Sequence, residues 1–440
     1  MDDTTFDAIV IGGGSAGLSF ARTASDRGAK IALVERDTLG GTCVNRGCVP
    51  KKMLWTVART LREMSGLAGT GIVNSVPAVD LHTLKKRRDS KIGEIVDSYA
   101  GKLESCGVAR VQGTARLERH GDATSVSVGD TTLRAPHVVL ATGGRPARPA
   151  FDGAGLCDVS DDVFGWTAVP PRLVVVGAGY IGCEFAAIHA ALGSEVTLVS
   201  DVETVLTEFS DPLRSVAADN LRAQGVTLHL GREPRSVVRD GEGFRITLDN
   251  GGILDADKVL LATGRDTNLD VLGDLRDRID ITEGGHIATD CLTTSRPGLH
   301  AIGDCADRLP LTPVAIDDGR VLAERLFGDG AARPCDLDRV ATTAFLLPPV
   351  AEVGRKDTLK RKDTSTPLEN TVFGGTACDF WAYGTDRGGL SAVALVGDGV
   401  AEAIGIAAQL IAAGHPTSHF DRALPVHPTM AEGLLTAPYC

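Results

Sequence analysis

Ala8-Ile9-Val10-Ile11-Gly12-Gly13-Gly14-Ser15-Ala16-Gly17 runs from a short apolar segment straight into a glycine turn. Four consecutive apolar residues bounded by glycine read as a strand buried on both faces of a parallel sheet. A helical stretch follows from Leu18 to Arg27, then a second apolar run, Lys30 to Val34, that ends in Glu35. Strand, GxGxxG, helix and an acid about 20 residues on form a dinucleotide-binding fingerprint. In it Gly12 makes the turn, Gly14 lets a pyrophosphate approach and Gly17 packs helix on strand. The helix N-terminus receives the phosphates, and Glu35 accepts from ribose hydroxyls.

The second half repeats the first. Arg172 to Val176 is a strand, Gly177-Ala178-Gly179-Tyr180-Ile181-Gly182 a second glycine turn, Cys183 to Leu192 its helix, and Val196 to Val199 the next strand. Two apolar strands, His137 to Leu140 and Val259 to Leu261, run into Ala141-Thr142-Gly143-Gly144 and Ala262-Thr263-Gly264-Arg265. This is duplication at domain scale. The fold class expected is α/β: two Rossmann-like, three-layer domains with parallel sheets. One site suits a tightly held flavin and the other an exchangeable nicotinamide.

Between the halves, Leu81 to Ser105 reads as a helix whose run Lys85-Lys86-Arg87-Arg88 is a solvated face. Arg110 to Val128 alternates like an antiparallel meander, and Arg145-Pro146 with Arg148-Pro149 reads as linker. Leu299 to Ile302 is a strand that delivers Asp304, placed to take flavin hydroxyls, and Leu311 to Phe327 is helical with Pro313 near its start. Beyond about Ala341 the pattern becomes α+β. Strands near Phe345, from Phe373 to Tyr383 and from Leu390 to Val396 precede the apolar helix Ala401 to Ala413.

The chemistry is carried by Gly40-Gly41-Thr42-Cys43-Val44-Asn45-Arg46-Gly47-Cys48-Val49-Pro50-Lys51-Lys52. Leu54, Val57, Ala58, Leu61 and Met64 continue at helical spacing, and Pro50 suits a first helical turn. The cysteines therefore lie at or near a positive helix end, which favours a thiolate. A small redox-active disulfide is one reading. Zinc is the rival, although it wants four ligands and no second pair of this kind follows.

With 440 residues, two or three domains are expected. Apolar residues make up 43% and charged residues 23%, the balance of a globular chain. A net charge of −12 argues against nucleic acid as partner. There is no apolar run of about 20 residues for a membrane span, and the acidic start Met1-Asp2-Asp3 lacks the basic region of a signal peptide. Ten scattered cysteines fit buried thiols in a reducing cytoplasm.

With these motifs assembled, the chain resembles the pyridine nucleotide-disulfide oxidoreductases along essentially its whole length. Its cysteine stretch is most similar to that of the glutathione reductases. The resemblance implies FAD held by residues 1–147 and 269–340, NADH or NADPH held by 148–268, and a dimerisation domain over 341–440. Thr42, Thr142, Gly143, Asp304 and Gly264 fall at cofactor positions, with Ser15 on the flavin side and Tyr180 gating the nicotinamide. The resemblance makes Cys48 the flavin-side thiolate and Cys43 the interchange thiol that attacks a small disulfide. It makes His427, oriented by Glu432 and contributed by the other subunit of a homodimer, the proton donor. Lys51 and Glu184 pair near the flavin, while Arg22, Tyr99 and Arg320 meet an anionic disulfide such as glutathione disulfide. No metal is implied.

Two departures from the family pattern stand out. NADPH-using relatives place arginines at the positions of Asp201 and Thr207; neither is basic here, so NADH is the expected donor. The segment between Glu352 and Thr376 is short, which implies a trimmed dimer contact. Cys440 lacks the adjacent redox partner of a C-terminal shuttle and reads as a free thiol. Alternatives are another metabolite disulfide, a dithiol oxidised in the reverse direction, a mercuric- or thioredoxin-type reductase, and a flavin-bound redox sensor.

Overall fold

A computed structural model of the chain describes residues 5–67, 70, 72, 75–120, 123–365, 379–386 and 388–416. His427, Glu432 and Cys440 lie outside the described residues. The helices among them are α1 (Ser15–Asp26), α2 (Gly41–Arg46), α3 (Cys48–Leu67), α4 (Leu81–Ser105), α5 (Tyr180–Leu192), α6 (Asp211–Ala223), α7 (Thr312–Phe327) and α8 (Val400–Ala412). The chain divides into two compact units, each drawn from three segments. The first is Met1–Lys51, Lys85–Arg145 and Arg265–Cys335; the second is Lys52–Leu84, Pro146–Gly264 and Asp336–Cys440.

The first unit is built on a five-stranded sheet in the order Leu299–Ala301, His137–Leu140, Ala8–Ile11, Ile31–Glu35, Ala109–Gln112. Every pairing in it is parallel. Side chains alternate between its faces, so both faces need a cover. Ala8, Val10, Ile31, Leu33 and Val139 pack against Phe20 and Ala21 of α1, Leu103 of α4 and Val321 and Leu322 of α7. Ile9, Ile11, Val34, Val138 and Leu140 pack against Leu117, Val126 and Leu133 of a three-stranded antiparallel layer over Ala115–Arg134. Each such aliphatic side chain, fully buried, contributes about 1.5–3 kcal/mol.

The second unit repeats this plan. Its parallel sheet runs Thr227–Leu230, Glu195–Ser200, Arg172–Val176, Lys258–Leu261, Asp158–Val159. One face packs on Phe185 and Ile188 of α5 and Leu213 and Leu221 of α6. The other packs on Val237, Phe244, Ile246 and Leu248 of an antiparallel layer over Pro234–Ala256. The expected α/β duplication is thus present: each half inserts one three-stranded layer into its sheet, after the third strand in chain order in the first unit and after the fourth in the second. The same unit carries a five-stranded antiparallel sheet, Thr342–Ala344, Val350–Gly354, Gly389–Val396, Asp379–Asp386, Leu359–Ser365, covered by α8.

Four expectations need correction. Ala109–Gln112 is not part of a meander but the parallel edge strand of the first sheet, and the antiparallel layer begins only at Ala115. Gly144–Pro146 lies where the chain passes from the first unit to the second, as a linker would, but it is a short strand paired with Arg265–Thr267 rather than irregular. Arg88 is not on a solvated face: it is buried and ion-paired to Asp89. The C-terminal unit has two further strands, Val350–Gly354 and Leu359–Ser365. Residues 366–378, which include the last part of the shortened segment, lie outside the described residues.

Candidate active site: two glycine turns and a cysteine pair

The first turn is held by contacts that tolerate no side chain. Gly12 has φ +111°, and a Cβ there would meet the Ala141 carbonyl oxygen at 2.2 Å. A Cβ on Gly17 would lie 1.9 Å from the Gly12 carbonyl oxygen, so α1 rests directly on the turn. Gly14 differs: its Cβ would meet nothing closer than Gly41 Cα at 3.8 Å. That opening sits over the α1 N-terminus, where no side chain of a described residue caps the free N–H groups. It is the cradle a pyrophosphate needs. Glu35 accepts from Gly13 N at 2.6 Å through one oxygen and from Asp37 N at 2.7 Å through the other. A carboxylate has about four lone-pair sites, so acceptor capacity remains for ribose hydroxyls.

Asp304 completes the far end of this site. It lies on the single turn Gly303–Cys305 that follows Leu299–Ala301. Gly303 N donates to Asp318 on α7 at 3.3 Å, and Asp318 is fully buried against Arg308 at 3.1 Å. This pair pins the turn. Desolvation raises the Asp304 pKa, opposed by Arg265 and His286. Thr142 and Asn268 exchange two hydrogen bonds of 2.9 Å, and Gly143, at φ +62°, accepts from Asn268 N. Arg265 reaches Thr42 Oγ1 at 3.4 Å and the Gly144 carbonyl at 2.7 Å. An uncapped helix end, an open glycine and two acids at the ends of separate strands fit the adenine dinucleotide of FAD.

The cysteines are brought to this turn by glycine again. A Cβ on Gly41 would lie 2.8 Å from Gly14 Cα, so α2 starts in contact with the first turn. Gly47 separates α2 from α3, and a Cβ there would meet the Thr42 carbonyl oxygen at 2.9 Å. Only without that Cβ does the chain fold back tightly enough for Cys48, the first residue of α3, to return to Cys43. Neither is in a disulfide. The Cys43 thiol is raised well above the ordinary range, first by its hydrogen bond to Cys48 and then by burial. Helix position alone predicted the opposite for Cys43: the helix field is outweighed by a sulfur neighbour that competes for the same proton. Cys48 Sγ lies 3.7 Å from Thr312 Oγ1 at the start of α7. Among the described residues, no cluster of three or more His, Cys, Asp or Glu could hold a metal.

Close packing of α1 and α7 places the expected disulfide contacts. A Cβ on Gly319 would meet the Ala16 carbonyl oxygen at 2.4 Å, and Ser19 Oγ donates to the Ile316 carbonyl at 2.7 Å. Arg22 is exposed on α1, and Arg320 is exposed on α7 and bonded to Asp317 at 2.6 Å. Tyr99 packs on the same core from α4, with Lys102 6.0 Å from its ring centre.

The second turn copies the first. Gly177 has φ +110°, its Cβ would meet the Ala262 carbonyl oxygen at 2.3 Å, and that of Gly182 would meet the Gly177 oxygen at 1.9 Å. Gly179 again faces open space, with Glu208 Oε1 nearest at 4.0 Å. Here, however, the helix end is engaged: Tyr180 N donates to Glu208 at 2.9 Å. Asp201 and Thr207 are both exposed, and Gly264 adopts φ +120°. Glu184 is buried and accepts from Phe345 N at 2.8 Å; it belongs to the second unit, whereas Lys51 belongs to the first. Thr312, Arg265, Asp317 and Glu208 escaped the sequence reading. Thr312 alone carried a signal there, as the residue before Pro313 at a helix start.

A family model described as pyridine nucleotide-disulphide oxidoreductase matches residues 6–319. The chain is 34% identical to a glutathione reductase of Burkholderia cepacia, over 99% of both chains. It is 30% identical to a glutathione reductase of Nostoc sp., covering 98% of this chain and 99% of the relative. It is 32% identical to a glutathione reductase of Schizosaccharomyces pombe, over 98% of both. The parallel-sheet duplication, the glycine turns and the cysteine pair agree with this match, and the chain belongs to the pyridine nucleotide-disulphide oxidoreductase family of flavoproteins.

Proposed function

We propose that this oxidoreductase reduces a small disulfide of the glutathione disulfide class with electrons from NADH. The observation that carries the reading is the return of Cys48 to within hydrogen-bond reach of Cys43 beside the first glycine turn. FAD, when bound, supplies a two-electron carrier between nicotinamide and sulfur. Gly12, Gly14, Ser15, Gly17, Glu35, Thr42, Thr142, Gly143 and Asp304 would hold it. Gly177, Gly179, Tyr180, Gly182, Asp201 and Gly264 would hold the nicotinamide nucleotide, and Lys51 and Glu184 would tune the flavin.

With both thiols reduced, Cys43 passes its proton to His427 and attacks one substrate sulfur. One half of the substrate leaves as thiolate and takes a proton from His427, which Glu432 orients. Cys48 then attacks the Cys43 sulfur, releases the second half and restores the internal disulfide. Thr312 Oγ1 is placed to stabilise negative charge on Cys48. Supply of His427 by a partner subunit makes the working species a homodimer, through residues 341–440. Residues 1–147 with 269–340 and residues 148–268 form the two nucleotide-binding domains in this assignment, and the cytoplasm is the proposed compartment.

NADH is favoured because neither Asp201 nor Thr207, where the resemblance places phosphate-binding arginines, is basic. Asp201 is exposed where a 2′-phosphate would lie, and Glu203 and Glu208 add further negative charge to the same loop. The test is steady-state kinetics on glutathione disulfide with each nucleotide. Turnover with kcat/KM higher for NADH supports the reading; an NADPH advantage, or no disulfide reduction with either, refutes it.

A further inference from the structure

Resting on the disulfide reading above, the α1–α7 face carries a feature that bears on which disulfide. Of its two arginines, Arg22 makes no ion pair with any described residue. Arg320 does not share that freedom: Asp317, one turn earlier on α7, accepts from its guanidinium at 2.6 Å. Asp317 cannot easily swing away, because its second oxygen accepts from Cys335 N at 3.0 Å. Cys335 is itself fastened, with Arg308 3.4 Å from its carbonyl oxygen and 3.1 Å from the buried Asp318. The adjacent acids thus have separate duties. Asp318 faces inward to fix the Asp304 turn, and Asp317 faces the surface, where its side chain is 23% exposed beside a 52% exposed Arg320.

We infer that Asp317 is a specificity-determining residue: by claiming Arg320 it selects, at that end of the site, a disulfide less anionic than glutathione disulfide. A substrate carboxylate arriving at Arg320 must displace an anchored carboxylate and lie beside its charge. An amide, a hydroxyl or an ammonium group meets no such opposition, and Asp317 offers an acceptor to it. Arg22, exposed on α1, remains available to a carboxylate. The preferred substrate class is therefore a disulfide with a carboxylate at one end and an uncharged or amino-bearing group at the other.

The experiment compares glutathione disulfide with its analogue in which both glycine carboxylates are amides. It uses the full-length holoenzyme and the variants Asp317→Ala and Asp317→Asn, the latter keeping an acceptor for Cys335 N. In both variants kcat/KM for glutathione disulfide over the bis-amide should rise about fivefold, the scale of a surface charge contact, mainly through KM. Calorimetric affinities of the oxidised protein for the two disulfides should shift by the same ratio. Ratios unchanged in both variants, in turnover and in binding, would overturn the role of Asp317. If the wild type turns over neither disulfide, the proposed function fails instead, and the binding ratio still decides Asp317.

Discussion

The two glycine turns share one construction and differ in what faces the ligand. Gly17 and Gly182 press their helices onto the preceding turn with the same 1.9 Å margin, and Gly12 and Gly177 sit under matching carbonyl oxygens. The registers also agree: Ile11 pairs Val34 as Val176 pairs Val199, so Glu35 and Ser200 occupy the same place one residue on. At that place the first turn has an acid anchored on Gly13 N and Asp37 N. The second has Ser200, with Asp201 exposed beyond it. The helix ends differ as well. Among the described residues no side chain caps α1, whereas the first N–H of α5 is bonded to Glu208. A site with its acid locked and its helix end open suits a resident cofactor. A site whose helix end is held by an exposed, removable carboxylate suits a ligand that comes and goes.

The sharpest way to break this comparison is to insert the same side chain in both turns. Gly17→Val should yield protein without bound flavin and no detectable disulfide reduction. Gly182→Val should keep a full flavin spectrum yet lose more than about a hundredfold in NADH-driven turnover, because the same clash closes only the second site. Flavin-to-protein ratios measured by absorbance separate the two; equal loss of flavin in both would end the distinction.

A smaller effect probes the acid at the ribose end. Asp201→Arg with Thr207→Arg should move the NADPH-to-NADH ratio of kcat/KM by about ten- to hundredfold, two charge-assisted contacts to phosphate. Stopped-flow reduction with each nucleotide measures it directly. Glu208→Gln should lower the apparent Kd for NADH by about three- to tenfold, since the ligand's pyrophosphate no longer meets a carboxylate at the α5 N-terminus. Fluorescence titration checks this, and weaker binding would mean that Glu208 supports the loop rather than competing with the ligand.

The smallest effect compares the units through stability. His300 in the first and His189 in the second are both held by burial at about 4, below the ordinary 6.5. His300 is neutral beside His137, ring nitrogens 3.2 Å apart. Such depressed values mean that folding favours the neutral ring. The unfolded chain takes up protons below pH 6.5, so stability is full above that pH and falls between 6.5 and 4. Each histidine accounts for roughly 2–3 kcal/mol across the window. Tm by calorimetry should drop between pH 7 and pH 5, and replacing His300 with Asn should flatten the slope.

Much of this was legible in the sequence because glycine acts there as a hard constraint. Gly12, Gly17, Gly177 and Gly182 sit where a Cβ has no room, so their spacing records the turn itself. Ala109–Gln112 was misread for a physical reason. As the edge of a parallel sheet it alternates half-buried and exposed residues, the pattern of an antiparallel strand. Val350–Gly354 was missed because Glu352 interrupts an apolar run. That carboxylate is buried by accepting from Ser210 N at 3.0 Å and pairing with Lys356 at 2.6 Å. Glu208 lies 28 residues from Tyr180, and Asp317 looks like any helix-surface acid until its rotamer is seen. Neither leaves a periodic trace.

The proposition beneath all of this is that Cys43 and Cys48 form the redox pair that reduced flavin feeds. Anaerobic titration of the purified, flavin-loaded protein with NADH, followed by alkylation and peptide mapping, tests it most directly. The account predicts two additional thiols per chain, at Cys43 and Cys48, appearing after two electron equivalents and before any disulfide is added. Bleaching of the flavin with no new thiol at either position would contradict it.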